Sequence, residues 1–274
     1  MKELIKDYCK QLRWGNSIVQ NYADIKADTH EEFLAKLLEI EVKGRELNRK
    51  NRCLRQAGFD VIKTFNGYSF DHIEIPASIP LDDLKTAALL KNRENLILYG
   101  PVGTGKTHMA TAIGVEACNQ GKKVGFYRTS TLVNELNDAQ NAGNLGKMLK
   151  QLAKLDLLIC DEWGYIPLDR QGAQLLFQVV ADCYEKRSII ITTNLEFSKW
   201  NGIFYDEKLT SAIIDRLIHH SHLLVFGGQS YIASVFVDLM VAGVSLEDVV
   251  EVVLNIAVGL DNGLPHRRGQ VCHA

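Results

Sequence analysis

The chain has 274 residues, 46% of them apolar and 23% charged, which suits one large domain plus an accessory segment, or two modest domains, around a real core. The net charge of −2 excludes a global basic field, so a nucleic-acid partner would have to be met by a local patch. No apolar run is long enough to span a bilayer, and the first residues (MKELIKDYCK) are too charged for a signal peptide, so a cytoplasmic protein with no membrane partner is expected. The six cysteines (9, 53, 118, 160, 183 and 272) form no C-x-x-C pair and indicate neither a disulfide framework nor a zinc site.

Residues 1 to about 57 contain no proline and little glycine, and read as helical. Asp28-Thr29-His30-Glu31-Glu32-Phe33 resembles a capped helix start, and Phe33, Leu34, Leu37, Leu38 and Ile40 follow at helical spacing. The pattern continues into KGRELNRKNRCLRQ, where Lys43, Arg45, Arg49, Lys50, Arg52 and Arg55 crowd against one acid, Glu46. Arg45, Arg49 and Arg52 would share a helical face. That face reads either as a phosphate-contacting surface on DNA or as a solvated charged stripe. Residues 58–94 form a connector broken by Gly58, Gly67, Pro76 and Pro80. Its FNGYSFDHIEI stretch mixes aromatic and polar groups, as segments beside a nucleotide base often do. Leu81–Asn92 reads as one helix.

From Asn95 strands and helices alternate, which signals a parallel sheet covered on both faces. Strands are expected at Asn95–Tyr99, Lys123–Tyr127, Leu155–Cys160, Ser188–Thr193 and His222–Phe226. Helices are expected at Thr107–Asn119, from about Ser130 to Lys150, from about Asp169 to Tyr184, and at 206–219.

Between the first of these strands and its helix lies Gly100-Pro101-Val102-Gly103-Thr104-Gly105-Lys106-Thr107, which fits G-x-x-x-x-G-K-[ST] at every fixed position and is followed by His108. The glycines let the backbone turn tightly, so that successive N–H groups point into one concavity and bind phosphate oxygens. Lys106 would reach the β- and γ-phosphates of ATP, and the Thr107 hydroxyl would ligate Mg²⁺. A later apolar strand runs into Asp161-Glu162. At the carboxyl end of a core strand, Asp161 would hold the metal and Glu162 would polarise the attacking water. Asn194, after the fourth strand, could sense the γ-phosphate. Arg216, in SAIIDRLIHHSH, could complete a neighbouring subunit's site as an arginine finger, or pair with a nearby acid such as Asp215. His219, His220 and His222 lack a paired carboxylate in the sequence, which favours polar surface over a metal site.

Together GPVGTGKTH, LLICDEWGY, IIITTN and SAIIDRLIHHSHLLVF resemble the IstB-like ATP-binding proteins, AAA+ ATPases of the same clade as the DnaC-type helicase loaders. The HEEFLAKLL, ELNRKNRCLRQAGF and TFNGYSFDHIEIP segments resemble that family's N-terminal part, so the likeness spans about residues 10–231. It implies an α/β fold: an AAA+ P-loop NTPase core with a parallel five-stranded sheet between helices, strand order 5-1-4-3-2, preceded by a small helical N-terminal region. It also implies Mg²⁺-dependent ATP hydrolysis, ATP-dependent homo-oligomerisation on duplex DNA, and help to a partner DDE-type transposase. In the family's terms Lys106 and Thr107 take the Walker A roles, Asp161 and Glu162 the Walker B roles, Asn194 the sensor position and Arg216 the trans-acting finger. Arg45, Arg49 and Arg52 fall on the DNA-contacting helix. The alternatives are a replicative helicase loader and a hydrolysis-defective, ATP-dependent DNA-binding scaffold.

The expected organisation is a helical N-terminal region at 1–66, an ATPase core at 67–231 and an atypical tail at 232–274. The family's G-E-S-Y-R ending departs here to Gly228-Gln229-Ser230-Tyr231-Ile232, so its arginine is missing. Ser245–Asp248 fits a capping-box variant ahead of an apolar helix face. That helix either docks on the core or a partner, or reflects a frameshift or fusion.

Overall fold

The computed structural model describes residues 1–204 and 206–227; the departure after Phe226 and the tail helix lie outside the described residues. The N-terminal region comprises α1 (Lys2–Gln11), α2 (Asn16–Asn21) and the long α3 (His30–Gln56). The start of α3 is capped as its sequence suggests: the Thr29 hydroxyl accepts from Glu32 N at 3.1 Å. The buried Glu41 ties this helix to the α1–α2 turn, accepting from Gly15 N at 2.7 Å and from Arg45 Nε at 2.7 Å.

The connector holds a two-residue strand, β1 (Ile73–Glu74), then α4 (Leu81–Lys85) and α5 (Leu89–Asn92). The single helix expected over Leu81–Asn92 is thus two short ones. The break falls at Ala87, whose φ of +49° no helix accommodates. The core follows as β2 (Asn95–Tyr99), α6 (Lys106–Asn119), β3 (Val124–Arg128), α7 (Thr129–Asn141), α8 (Leu145–Leu152) and β4 (Leu157–Asp161). It closes with α9 (Arg170–Cys183), β5 (Ser188–Thr193), the short α10 (Asn201–Phe204), α11 (Glu207–Ile218) and β6 (Ser221–Phe226). The helix expected from Ser130 to Lys150 is also broken in two, at Gly143 with φ +69°.

Among the described residues the sheet has six strands, in the order β1-β6-β2-β5-β4-β3. Five are parallel and, numbered among themselves, run 5-1-4-3-2 as expected. The sixth, β1, is an addition to the expected five. It pairs antiparallel with β6 through Ile73↔Phe226 and Glu74↔Val225, and two residues beside a proline leave no alternation to read.

Strand side chains alternate between two cores. Leu157 and Ile159 pack with Leu96, Leu98, Ile190 and the helix α6 on one face. Leu158 and Cys160 pack with Ile189, Ile191, α7, α9 and α11 on the other. Covering both faces explains why the strands read as continuous apolar runs. The end of α3 is part of this core, not an appendage: Cys53 and Ala57 are buried with α6, and Phe126 N donates to Ala57 O at 2.7 Å. Mid-helix Gly114 lets α6 approach the sheet, since a Cβ there would stand 2.8 Å from both Ile159 Cδ1 and Phe59 Cζ. The five cysteines in the described residues are all free and buried. Among those residues no helix is long and apolar enough to cross a membrane.

Candidate nucleotide site

The carboxyl ends of β2, β4 and β5 converge on one edge of the sheet, and the loop Gly100–Gly105 crosses it. Gly100 sits where no other residue fits: a Cβ would lie 2.3 Å from Phe226 O. Its N–H donates to Thr193 O at 3.2 Å, which fastens the loop to β5. Gly103 and Gly105 take φ of +80° and +92°. Among the described residues, the N–H groups of Gly103, Thr104, Gly105, Lys106 and Thr107 have no protein acceptor. Such orphaned donors, at the N-terminus of a 14-residue helix, are suited to an anion. The Lys106 ammonium donates to Gly100 O at 2.7 Å and Pro101 O at 2.5 Å. Burial lowers its pKa to about 8, with the Asp161 charge pulling the other way.

Asp161 ends β4 and is only 4% exposed. The Thr107 hydroxyl donates to its two carboxylate oxygens at 2.9 and 3.2 Å. A hydroxyl and a carboxylate placed together on a loop of free N–H groups are a hard-cation donor set, so these residues fit Mg²⁺. The next residue, Glu162, is exposed and left-handed, with φ +56°. A non-glycine residue in that region costs on the order of 1–3 kcal/mol and has to be held there. Thr192 supplies the hold. Its hydroxyl accepts from Glu162 N at 3.0 Å and donates to Asp161 Oδ1 at 2.5 Å, while Thr192 O accepts from Trp163 N at 2.8 Å. Trp163 is fully buried against Trp200 and Phe204, with ring centroids 5.5 and 5.9 Å away, and so anchors the turn from below.

The structure brings Lys106, Thr107, Asp161 and Glu162 to this one edge. Pro101, Val102 and Thr104 form the loop's outer arc, where Thr104 Oγ1 donates to Pro101 O at 2.8 Å. The His108 ring is occupied elsewhere, 2.8 Å from Thr64 O and 4.8 Å from the Tyr68 ring centroid, and burial lowers its pKa. Asn194 is exposed immediately after β5. Arg216 contacts its own chain: Nη1 donates to Ala212 O at 2.9 Å, and the guanidinium lies 4.8 Å from the Phe177 ring centroid. Among the described residues no acid, Asp215 included, pairs with it. The three basic residues of α3 separate by partner. Arg45 pairs with Glu41 and donates to Arg13 O, Arg49 Nε donates to Gly121 O at 3.1 Å, and Arg52 stands exposed.

Three site residues escaped the sequence reading. Thr192 was visible only as part of a strand ending in Thr-Thr-Asn. Thr129 holds the Asp161 carbonyl at 2.8 Å and carries no motif. Tyr68, from the aromatic connector, donates its hydroxyl to Gly105 O at 3.2 Å and closes the loop's far side.

Residues 14–234 match the family described as IstB-like ATP binding protein. Similar proteins include the ATP-binding protein of insertion sequence IS5376 from Geobacillus stearothermophilus, 36% identical over 84% of this chain and 94% of that one. Another is the insertion sequence IS21 ATP-binding protein of Pseudomonas aeruginosa, 38% identical over 74% and 76%. Among solved structures, a DnaC helicase loader is 21% identical, with a TM-score of 0.47 over 60% of this chain and 96% of that one.

Proposed function

The chain belongs to the IstB-like ATP-binding protein family, and from that premise we propose that it hydrolyses ATP to assist an insertion-sequence transposase of the DDE type on duplex DNA. The observation that carries the hydrolytic part is the convergence of free loop N–H groups, the Thr107–Asp161 pair and a left-handed Glu162 on one sheet edge.

The loop N–H groups and Lys106 bind the triphosphate, the lysine exchanging two loop carbonyls for phosphate oxygens. Mg²⁺, held by Thr107 and Asp161, would offset phosphate charge. Glu162 accepts a proton from the attacking water, its carboxylate directed outward by the backbone turn at φ +56°. Asn194 reads the terminal phosphate from the end of β5. Arg216 of one subunit acts at the site of the next in an ATP-dependent homo-oligomer. Arg52, with Arg45 and Arg49 beside it on α3, offers the surface for DNA phosphates.

The test is ATP turnover by the full chain, with and without duplex DNA, alongside oligomer size. Turnover stimulated by DNA, an ATP-dependent assembly, loss of ATP binding in Lys106→Ala and a trapped ATP-bound oligomer in Glu162→Gln are the expected results. Wild-type turnover by Glu162→Gln would falsify its assignment. Binding of ATP and DNA with no turnover would favour a scaffold. Turnover indifferent to duplex DNA would favour a helicase loader.

A further inference from the structure

The opposite, amino-terminal edge of the sheet carries a second group of chemistry-bearing side chains. Three turns meet there: the one entering β2, the one between α9 and β5, and the one between α11 and β6. Asn95, buried at the start of β2, fastens them together. Its backbone N–H donates to His220 O at 2.7 Å, its Nδ2 to Leu217 O at 3.2 Å, and its Oδ1 accepts from Ile189 N at 2.8 Å. The Arg93 guanidinium adds a bond to Glu185 O at 2.8 Å, and Glu185 is itself held left-handed at φ +55°.

These bonds set His219, His220 and Glu185 side by side. One ligand atom from each lies within 4.8 Å of the other two, and His220 Nε2 is 3.8 Å from Glu185 Oε1. The histidine rings meet edge to face with centroids 4.4 Å apart. The Tyr184 hydroxyl lies 3.2 Å from His219 Nδ1, an outer partner of the kind that orients a ligating imidazole and leaves Nε2 available. His219 is the residue that ends α11, and Tyr184 ends α9, so the negative ends of two helix dipoles converge on the cluster. The carboxylate that the histidine-rich segment lacks in sequence is supplied from 34 residues earlier by the fold. Lys91 and Arg93 border the same hollow, but Arg93 is directed at the Glu185 carbonyl, so the carboxylate faces His220 and the Tyr184 hydroxyl and not the guanidinium.

We propose that Glu185, His219 and His220 bind a divalent cation of the Zn²⁺ class, with water completing the coordination. Two imidazoles and one carboxylate suit Zn²⁺, Co²⁺ or Ni²⁺ over Mg²⁺, whose ligands are oxygens. The bound ion clasps the α9–β5 turn to the α11–β6 turn, at the end of the sheet remote from the P-loop. The site is independent of the nucleotide reading.

The test is Zn²⁺ titration of the full chain by calorimetry in millimolar Mg²⁺, with Co²⁺ absorption as a second probe. One equivalent should bind with micromolar affinity. Glu185→Gln and His219→Ala/His220→Ala should each weaken it by at least about tenfold. His222→Ala, whose imidazole faces Glu94 at 3.4 Å, should leave it unchanged. ATP affinity and circular dichroism report that each variant is folded. In the wild-type protein, Zn²⁺ should also protect His219 and His220 from diethylpyrocarbonate. The proposal fails if the wild type takes up no Zn²⁺, or if no such protection is seen. It fails equally if binding survives in the double variant, which would send the metal to other ligands such as His266, Cys272 and His273.

Discussion

One hydroxyl connects the two acids at the end of β4. Thr192 accepts from the backbone of Glu162 and donates to the carboxylate of Asp161, so the strained turn and the proposed cation ligand share a partner. Thr192→Val keeps the shape and removes both bonds, releasing the Glu162 N–H and taking a donor from the buried Asp161 carboxylate. The expected result is a kcat reduced roughly 10- to 100-fold with KM for ATP little changed, because a misplaced base affects the chemical step more than binding. Thr192→Ser should restore most of the rate; a loss confined to KM would show that the hydroxyl serves binding instead. Lys106 leads to a second expectation. With burial placing its pKa at about 8, the free site is largely charged at pH 7 and increasingly neutral above pH 8. Triphosphate favours the charged amine, so ATP binding should take up protons at pH 8.5 and much less at pH 7. Calorimetry in buffers of different ionisation heat would measure this, and equal uptake at the two pH values would refute it. Lys106 and Thr107 are legible because their motif has fixed spacing, and Asp161 and Glu162 because two acids close an apolar strand. Thr192 is not, since a threonine in a strand of β-branched residues looks like ordinary strand sequence.

Within α3 the basic residues divide into distinct tasks. Arg49 is packed so closely on the end of α6 that a Cβ on Gly121 would lie 2.6 Å from its Nε, and it donates to the Gly121 carbonyl. Arg52 has no such engagement and is exposed. Arg49→Ala should therefore lower Tm by a few degrees and speed proteolysis between α3 and β1, by loosening the helix from the core. Arg52→Ala should leave Tm unchanged while weakening DNA binding and reducing its salt slope by about one. Equal Tm for the two variants would overturn this division. Helical periodicity expects the three arginines on one face. It cannot tell a docked guanidinium from a solvated one, because the docking partner lies 72 residues away. The break at Ala87 has a related cause: an alanine carries no turn signal, and its left-handed φ is set by burial in the core. The break at Gly143 is local instead, a helix-ending glycine with open space around it.

The described residues fold around two cores, and the N-terminal region contributes to one of them. Cys53, Ala57, Phe59 and Phe65 all pack on the α6 side of the sheet. Removing residues 1–66 should lower Tm by well over 10 °C or prevent soluble expression, since several buried apolar side chains go with it. Removing residues 1–27 takes α1 and α2 but leaves those contacts, and should cost only a few degrees. If both truncations behave alike, the packing of α3 is not what stabilises the core. The parallel sheet and its strand order were readable from alternating patterns and the family likeness. The extra strand β1 and the histidine–carboxylate grouping were not, because each depends on chain segments brought together only by folding.

The glycine that opens the P-loop lies against Phe226, and Gly227 N donates to His72 O at 2.8 Å. The polypeptide therefore leaves the sheet beside the triphosphate-binding loop. A dye on a cysteine introduced at residue 227, with Cys272 replaced by serine, would be well placed to report nucleotide occupancy as a change in emission, giving a direct optical readout of when the chain is loaded.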